Sequence, residues 1–595
     1  MDNVSQYYSS SIASLNEQID KLKKKLLAIS FARFFFFVFA LVSPFFIYPL
    51  SHVAGILIPL FSLVVFLFFV KRNVAVAEEK QYLENKRLIC KNELEGISHN
   101  FSVFDGGSEF IDPLHFNSYD LDVFGKGSLF QYINRTVTFR GKSVLAGMFT
   151  HSITQNDALR RRQQLVAELS TDTEWRHDFA ALGMMYAEDK EESEMFGRWA
   201  KETFVFSMSK VIPVLLVVMP LFAILSLIYW IVFSNSALFL FSILLQSILW
   251  MVERKNTTLI YARFGRRVKI LSKYATLLSR IEQRNWKSDE AISILASMET
   301  RGIPSKEISQ LKQLVSAYDN RNNFLLGFML NVVFMWDILC SYRLANWHIR
   351  NKENYTLWDS TIGFFDAIAS LSTLAYNHPG YCYPVFSTGK FMVEANQLGH
   401  PLIKPDKMIA NNFAMKGEKQ LVIVTGANMA GKSTFLRTIG VNLVLAMTGA
   451  PVCAQRMEFV PVEVFSNMRT TDSLFDEESY FFAELKRIKM ILDALSSGRK
   501  VLIILDEILK GTNSVDKLAG SQKLVDKLVK MNASAIIATH DLKLTEMEHV
   551  YPQFIQNNCF EIIIENDEMQ FDYTLREGVT QTMNATFLMK KMGII

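Results

Sequence analysis

The chain is short of cysteine. Its five, Cys90, Cys340, Cys382, Cys453 and Cys559, stand apart without CxxC spacing. That excludes a disulfide framework and a cysteine-bound metal and fits reduced thiols in a cytosolic setting. It is also short of net charge: 63 basic against 59 acidic residues leave +4, too little to mark a nucleic-acid partner, so such a claim needs local patches. There is no short-period repeat and no long low-complexity linker. What is abundant is apolar: half the residues, 47 of them Phe, with a positive mean hydropathy. At 595 residues the chain holds several domains, because single cores stop growing at roughly 250 to 300 residues.

Charge is absent above all from four runs. Ile29 to Leu50 carries only Arg33, Val53 to Val70 carries none, and Val211 to Phe233 and Asn235 to Val252 carry none. Each approaches the ~20 residues that cross a ~30 Å hydrocarbon core. They predict two membrane hairpins, about 29–50 with 53–70 and about 211–233 with 235–252. The first run is not a cleavable signal, since a long polar or amphipathic stretch precedes it and a second span follows at once. Lys21, Lys23, Lys24, Lys25, Lys71, Arg72, Lys201, Lys210, Arg254 and Lys255 flank the runs, while the tips at Ser51-His52 and Ser234-Asn235 hold no Lys or Arg. Such asymmetry predicts both termini and the large segments on the cytoplasmic side of a cytoplasmic membrane. A fifth apolar run, Phe324 to Trp336, reaches only about 20 Å at 1.5 Å per residue and is closed by Asp337. It is read as a buried soluble helix.

The predicted organisation is 1–100 with the first hairpin, 101–200 as the first part of a helical core, 201–255 with the second hairpin, 256–395 as the rest of the helical lever, and 396–595 as a catalytic domain. Val74 to Asn100 has helical spacing, and in ITQNDALRRRQQLVAEL Thr154 and Asp157 are candidate caps. Arg160 to Arg162 read either as a solvated helix face or as a patch for an acidic partner.

The chemistry lies near the C-terminus. An apolar strand, Gln420 to Val424, runs into GANMAGKS, which fits GxxxxGK[ST] at Gly426, Gly431, Lys432 and Ser433 and precedes a helical pattern. Backbone N–H groups of Gly426, Ala427, Asn428, Met429, Ala430 and Gly431 would turn onto phosphate, with Thr434 following in the helix. Lys432 would reach the terminal phosphates of ATP, and the Ser433 hydroxyl would ligate Mg²⁺. A second strand, VLIILDE, places Asp506 for the magnesium shell and Glu507 to polarise water. AIIATHD ends a third strand on His540, which can orient the γ-phosphate. All three strands carry polar residues at the C-terminal edge, where open α/β sheets bind ligands.

Together these stretches resemble the MutS family. TGANMAGKST is similar to its TGPNMGGKST, DEILKGTNSVD to its DEIGRGTSTYDG, and IATHDLKLTEM to its ATHYFELT. DSLFDEESYFFAEL puts Ser479 on the family's signature Ser and Glu484 five residues later. KMIANNFAM resembles the segment beside the adenine, with Met408 where the family often has an aromatic residue and Ile409 next to it as a nucleotide contact. LFQYINRTVTFRGKSVLAGMF and ALRRRQQLVAEL resemble, more weakly, the start of the helical core and lever. No Phe-x-Glu wedge for reading mismatches precedes them, and the second hairpin falls near the place of the family's DNA clamp.

The resemblance implies a fold of MutS-type α/β P-loop ATPase behind a mainly α-helical lever, to which the apolar runs add two transmembrane hairpins. It implies a homodimer in which Ser479 contacts the γ-phosphate held by the opposite subunit. The expected function is ATP hydrolysis with Mg²⁺, driving a clamp-like movement at the membrane, acting on double-stranded DNA without strong mismatch preference or on protein partners not identified by sequence. Two rivals belong to other classes. One is an ABC-type transporter, disfavoured because LSSGRK abuts the Asp506 strand and no intramembrane charge marks a substrate route. The other is a membrane scaffold with a nucleotide-sensing module.

Overall fold

The computed structural model describes residues 2–186, 191, 197–199, 202, 211–265, 268–299, 302–322, 324–469, 480–509, 514–565 and 568–581. The apolar runs belong to longer helices than their own lengths suggest. Asp2–Ile47 and His52–Ile97 are each 46 residues, about 69 Å at 1.5 Å per residue, so the polar stretches before residue 29 and after residue 70 continue the same two helices. They run antiparallel, with Phe36 stacked on Phe69 at 5.7 Å and Arg87 donating to Asn16 Oδ1 at 3.0 Å. Inside the apolar half, the Ser62 hydroxyl donates to the Phe36 carbonyl at 2.8 Å, which spares it an unpartnered burial. Ser51 caps the second helix by accepting from Ala54 N. The other pair is Ile212–Phe233 and Ala237–Gly265. Ser234, left-handed at φ 55°, ends its first helix, and Trp230 stacks on Phe239. These four helices are long and apolar enough to cross a membrane.

The fifth run departs from the expectation of a buried soluble helix. Phe324–Phe334 forms a helix, but it packs on both helices of the second pair and leaves Phe328, Met329 and Phe334 exposed.

Between the pairs and the C-terminal sheet domain lies a helical body. Its axis is Asn354–Asn377, buried along nearly its whole length. In its middle the buried Asp366 accepts hydrogen bonds from Val137 N, Thr138 N and Thr138 Oγ1 at 2.7 to 3.2 Å. It thereby supports the start of the helix Phe139–Thr150, and Gly141 is required because a Cβ there would collide with Asp366. Burial pushes the Asp366 carboxyl up to about 7. The helix Asn156–Ser170 begins after Gln155 without a side-chain cap. Thr154 is thus outside it, and Asp157 sits in the first turn, where it complements the helix dipole.

The first long pair is riveted to this body by charge. Tyr8 donates to Asn377 Oδ1 at 2.9 Å, Asn377 donates to Glu93 at 2.7 Å, and Glu93 holds Arg135 Nε at 2.6 Å. Asp178 binds Lys86 at 2.7 Å and Arg280 at 2.5 Å.

Among the described residues ten strands follow: β1 (Val385–Phe386), β2 (Val393–Leu398), β3 (Asn411–Met415), β4 (Leu421–Gly426), β5 (Arg456–Phe459), β6 (Glu463–Asn467), β7 (Val501–Asp506), β8 (Ser534–Ala538), β9 (Ile555–Glu565) and β10 (Glu568–Glu577). A boundary at 395/396 would cut β2, so the domain begins earlier, after Asn377. One sheet has the order β1-β5-β2-β3, the other β10-β9-β4-β8-β7-β6. In the second, β9, β4, β8, β7 and β6 are parallel and β10 is antiparallel to β9. Buried throughout, β4, β7 and β8 read as unbroken apolar runs because helices cover both faces. One continuous core runs from Leu129 and Phe365 in the helical body to Leu436 and Ile504 beneath the sheet.

Candidate functional site

The sheet order brings the motifs together. Because β8 lies between β4 and β7, the loop after β4, Asp506 and Glu507 at the end of β7, and His540 just past β8 meet at one sheet edge. They line a cleft of about 630 Å³ with Asn428, Met429, Gly431, Ser433, Thr434 and Ile409.

Loop 426–431 is shaped by glycine where nothing else fits. Gly426 has φ 151° and a Cβ there would come within 2.9 Å of the Phe560 carbonyl; Gly431 has φ 104° and would meet the Tyr573 ring at 3.0 Å. Both positions lie in the region that side chains rarely adopt. Met429 is also left-handed, at φ 68°. Ala427 and Ala430 are buried and hold the loop down. Gly431 then starts the helix Lys432–Met447, whose N-terminal N–H groups face the cleft.

Lys432 is folded back on its own loop. Its Nζ donates to Gly426 O at 2.7 Å and Ala427 O at 2.9 Å and lies 3.2 Å from His540 Nε2. Burial pulls its ammonium down to about 8, opposed by Asp506 and Glu507. His540 Nε2 is also 3.1 Å from Glu507 Oε1, and Lys517 Nζ lies 3.7 Å from Glu507 Oε2. Lys432, His540 and Glu507 thus form one chain across the edge. Glu507 is left-handed at φ 58°, a strained geometry of the kind found at functional sites, and its N–H donates to Ala538 O at 2.9 Å.

A magnesium site fits the donors present. Ser433 in the first helical turn and the buried Asp506 are hard oxygen donors on the cleft wall, and no group of three His, Cys, Asp or Glu that could hold a metal occurs among the described residues. Two protein oxygens and substrate phosphates are what Mg²⁺ ordinarily takes.

On the side where the resemblance puts adenine, the two adjacent residues point differently. Ile409 lines the cleft, half exposed, whereas the Met408 sulfur packs 3.7 Å from Cys453 Sγ. An aromatic group enters the cleft from another element. Tyr573 lines the cleft at an irregularity of β10 between Phe571 and Leu575. Asn411 of β3 fixes it there, donating to the Tyr573 carbonyl at 3.0 Å and accepting from Leu575 N at 2.7 Å. Sequence reasoning missed Tyr573; its only signal was the alternation of Phe571 and Tyr573, which says nothing of the β10 position beside the loop.

Ser479 lies outside the described residues. One buried carboxylate that sequence reasoning also missed ties the residues ending at Arg469 to Arg487 of the helix Tyr480–Ser496. Asp120 accepts from Ser466 Oγ at 2.8 Å, Arg469 N at 2.9 Å and Met468 N at 3.2 Å, and lies 3.4 Å from Arg487 Nη2. Past Ser479, Glu484 accepts from Leu509 N at 2.6 Å, linking the helix Tyr480–Ser496 to the residues after Glu507. Of the three arginines in Asn156–Ser170, Arg160 and Arg161 are exposed, whereas Arg162 lies over Phe364 and contacts Glu290 at 3.4 Å. LSSGRK closes that same Tyr480–Ser496 helix and the turn into β7, leaving no helix between itself and β7.

The family model described as MutS domain V matches residues 422–590. The DNA mismatch repair proteins MutS of Thermotoga petrophila and Thermotoga maritima are each 33% identical, over 230 and 233 residues, covering 38% of this chain and 28% and 29% of theirs. That of Desulfatibacillum aliphaticivorans is 30% identical over 255 residues, 41% of this chain and 28% of its own. The chain therefore matches less than a third of the length of these relatives.

Proposed function

The chain is a MutS-family protein, matched over its C-terminal part, and from that premise we propose that it is a membrane-anchored, dimeric ATPase of the P-loop class. The observation that carries this reading is the Lys432–His540–Glu507 chain, within 3.2 Å at each link, beside a glycine loop and Asp506. Entry of ATP replaces the loop carbonyls around Lys432 Nζ with phosphate oxygens, and the loop N–H groups and helix N-terminus hold the rest of the triphosphate. Ser433 and Asp506 would hold Mg²⁺, which neutralises charge on the phosphates when bound. Glu507 accepts a proton from the attacking water, and His540, released from Lys432, orients the γ-phosphate. Ile409 and Tyr573 flank the base.

Two copies complete the sites. Ser479 of each acts on ATP held by the other, and closure of the nucleotide domains moves the helical body. The two apolar pairs cross the cytoplasmic membrane as hairpins with both termini in the cytoplasm. Exposed basic positions such as Arg160 and Arg161 offer phosphate contacts to duplex DNA, which specify no sequence; protein partners at the membrane are the other targets of the movement.

The test is complementation. A Ser479→Arg subunit mixed with a Lys432→Ala subunit restores one working site per heterodimer, while each homodimer is inactive. Heterodimers that form without regaining ATPase activity would place the whole site within one chain.

A further inference from the structure

The helix Phe324–Phe334 has no part in the ATP site, yet it carries no charge and bares large apolar groups. Met329 is 64% exposed and Phe328 50%. It lies against both helices of the second apolar pair, where Met251 and Val252 are also bare. Polar groups stand before its start and after its end. Asp337, buried, is held by Arg321 Nη2 at 3.3 Å and Trp250 Nε1 at 3.0 Å. Arg321 also reaches Thr258 Oγ1 at 3.3 Å, and the Tyr318 hydroxyl donates to Thr257 O at 3.0 Å. Tyr and Trp tips beside charges are the composition of a membrane–water boundary.

The geometry points to a shallow lipid-inserted element. Given the reading that the second pair spans a bilayer, we infer that Phe324–Phe334 seats Phe328, Met329 and Phe334 among the acyl chains of the leaflet nearest the helical body. Eleven residues reach about 16 Å, half of a ~30 Å core, so the helix cannot cross. It does not need to. Its start follows Arg321, tied to Thr258, and its end precedes Asp337, tied to Trp250, so both ends attach near the base of the helix Ala237–Gly265. Met335, left-handed at φ 49°, and a bend of 78° into Trp336–Asn351 return the chain to the body. Lipid is favoured over a protein occupant because the exposed surface is continuous with the flank of the apolar pair. The consequence is orientation: the body is held against the bilayer at a point distant in sequence from either pair.

The test uses the full chain in liposomes, with an environment-sensitive fluorophore on single cysteines at Met329, at Val218 within the second pair, and at Lys530 as aqueous reference. Four native thiols are buried and Cys382 half-buried, and the unsubstituted chain serves as the labelling blank. The expected result is blue-shifted emission at Met329, quenched roughly twofold more by lipids brominated near the glycerol than by lipids brominated at the chain ends, as for a helix at the headgroup–acyl boundary. Val218 should show the deeper profile. Water-like emission at Met329 with Val218 quenched would overturn this inference alone. Water-like emission at both would overturn the membrane reading beneath it. Blue-shifted emission at Met329 that no brominated lipid quenches would assign the surface to protein and equally overturn the inference.

Discussion

The cleft and the helical body both bury charge, but they arrange it in opposite ways. In the body the charges that hold the long helices close on their neighbours: Glu93 serves Arg135 and Asn377, Asn377 serves Tyr8, and Asp366 caps the backbone of Val137 and Thr138. In the cleft, Lys432, Asp506, Glu507 and His540 crowd one edge of a cavity, and Lys432 satisfies itself on carbonyls of its own loop. A closed network holds a shape; a crowded edge that can exchange partners is suited to chemistry. Substitutions should therefore separate along the same line, with turnover lost in one region and stability in the other.

The largest separation is expected at Glu507. Replacing it with Gln should lower ATP turnover by about 10² to 10⁴, the range of a general base, while the ATP dissociation constant stays within a few-fold. Lys432→Ala should instead abolish measurable ATP binding in a calorimeter without lowering the unfolding midpoint. Near-normal turnover in the Glu507 variant would mean that another group orients the water.

The body should answer differently. Glu93→Ala leaves Arg135 facing Phe104 and two carbonyls without its carboxylate, a loss of about 3–5 kcal/mol for a broken buried pair. The unfolding midpoint should fall, and the double change Glu93→Leu with Arg135→Leu should recover much of it. Equal destabilisation by the single and double changes would show that packing, not the pair, holds the long helices to the body.

This contrast also explains what could be read from sequence. The meeting of Lys432 with Asp506, Glu507 and His540 was legible because the last three stand at or just past the ends of apolar strands and Lys432 closes the glycine loop that follows another, patterns contained in a few neighbouring residues. The four apolar runs were legible for the same reason. Tyr573 was not, since its place depends on β10 pairing with β9 next to β4 and on a hydrogen-bonded bracket from Asn411. The lengths of the first two helices were hidden because hydropathy drops where a helix leaves apolar surroundings, although the backbone continues. Phe324–Phe334 was misread because shortness and Asp337 suggest burial, and only the fold shows Arg321 and Trp250 taking up that carboxylate. Asp120 gave no local sign of its role, its partners lying more than 300 positions away.

A smaller effect distinguishes cleft residues that position from those that react. Tyr573→Ala should weaken ATP binding by about tenfold, near 1.4 kcal/mol, with turnover at saturation little changed. Asn411→Ala should weaken it less and in the same direction, because it frees the Tyr573 carbonyl and Leu575 N without removing the ring. A drop in saturated turnover as large as that of Glu507→Gln would move Tyr573 from the base side to the phosphates.

The smallest effect is a fraction of a proton, and it reports whether Lys432 makes the exchange of partners proposed for it. Burial holds its ammonium at about 8 in the resting cleft, below the usual value of a lysine near 10.4. Phosphate oxygens would favour the charged form and raise it again. At pH 8.5 roughly three quarters of the resting Lys432 is neutral by that value, so MgATP binding should draw in nearly that fraction of a proton; at pH 7 only about a tenth is neutral, and uptake should almost vanish. The same depression sets a sign for stability. The unfolded chain binds the lysine proton more tightly than the folded chain, so between about pH 8 and 10.4 this group makes the nucleotide-free protein more stable as pH rises, and below pH 8 its contribution is level. Calorimetry of MgATP binding in buffers of different ionisation enthalpy measures the uptake directly. An uptake that does not grow from pH 7 to 8.5 would mean that Lys432 is already fully charged in the resting cleft or stays on Gly426 and Ala427 when the nucleotide is bound.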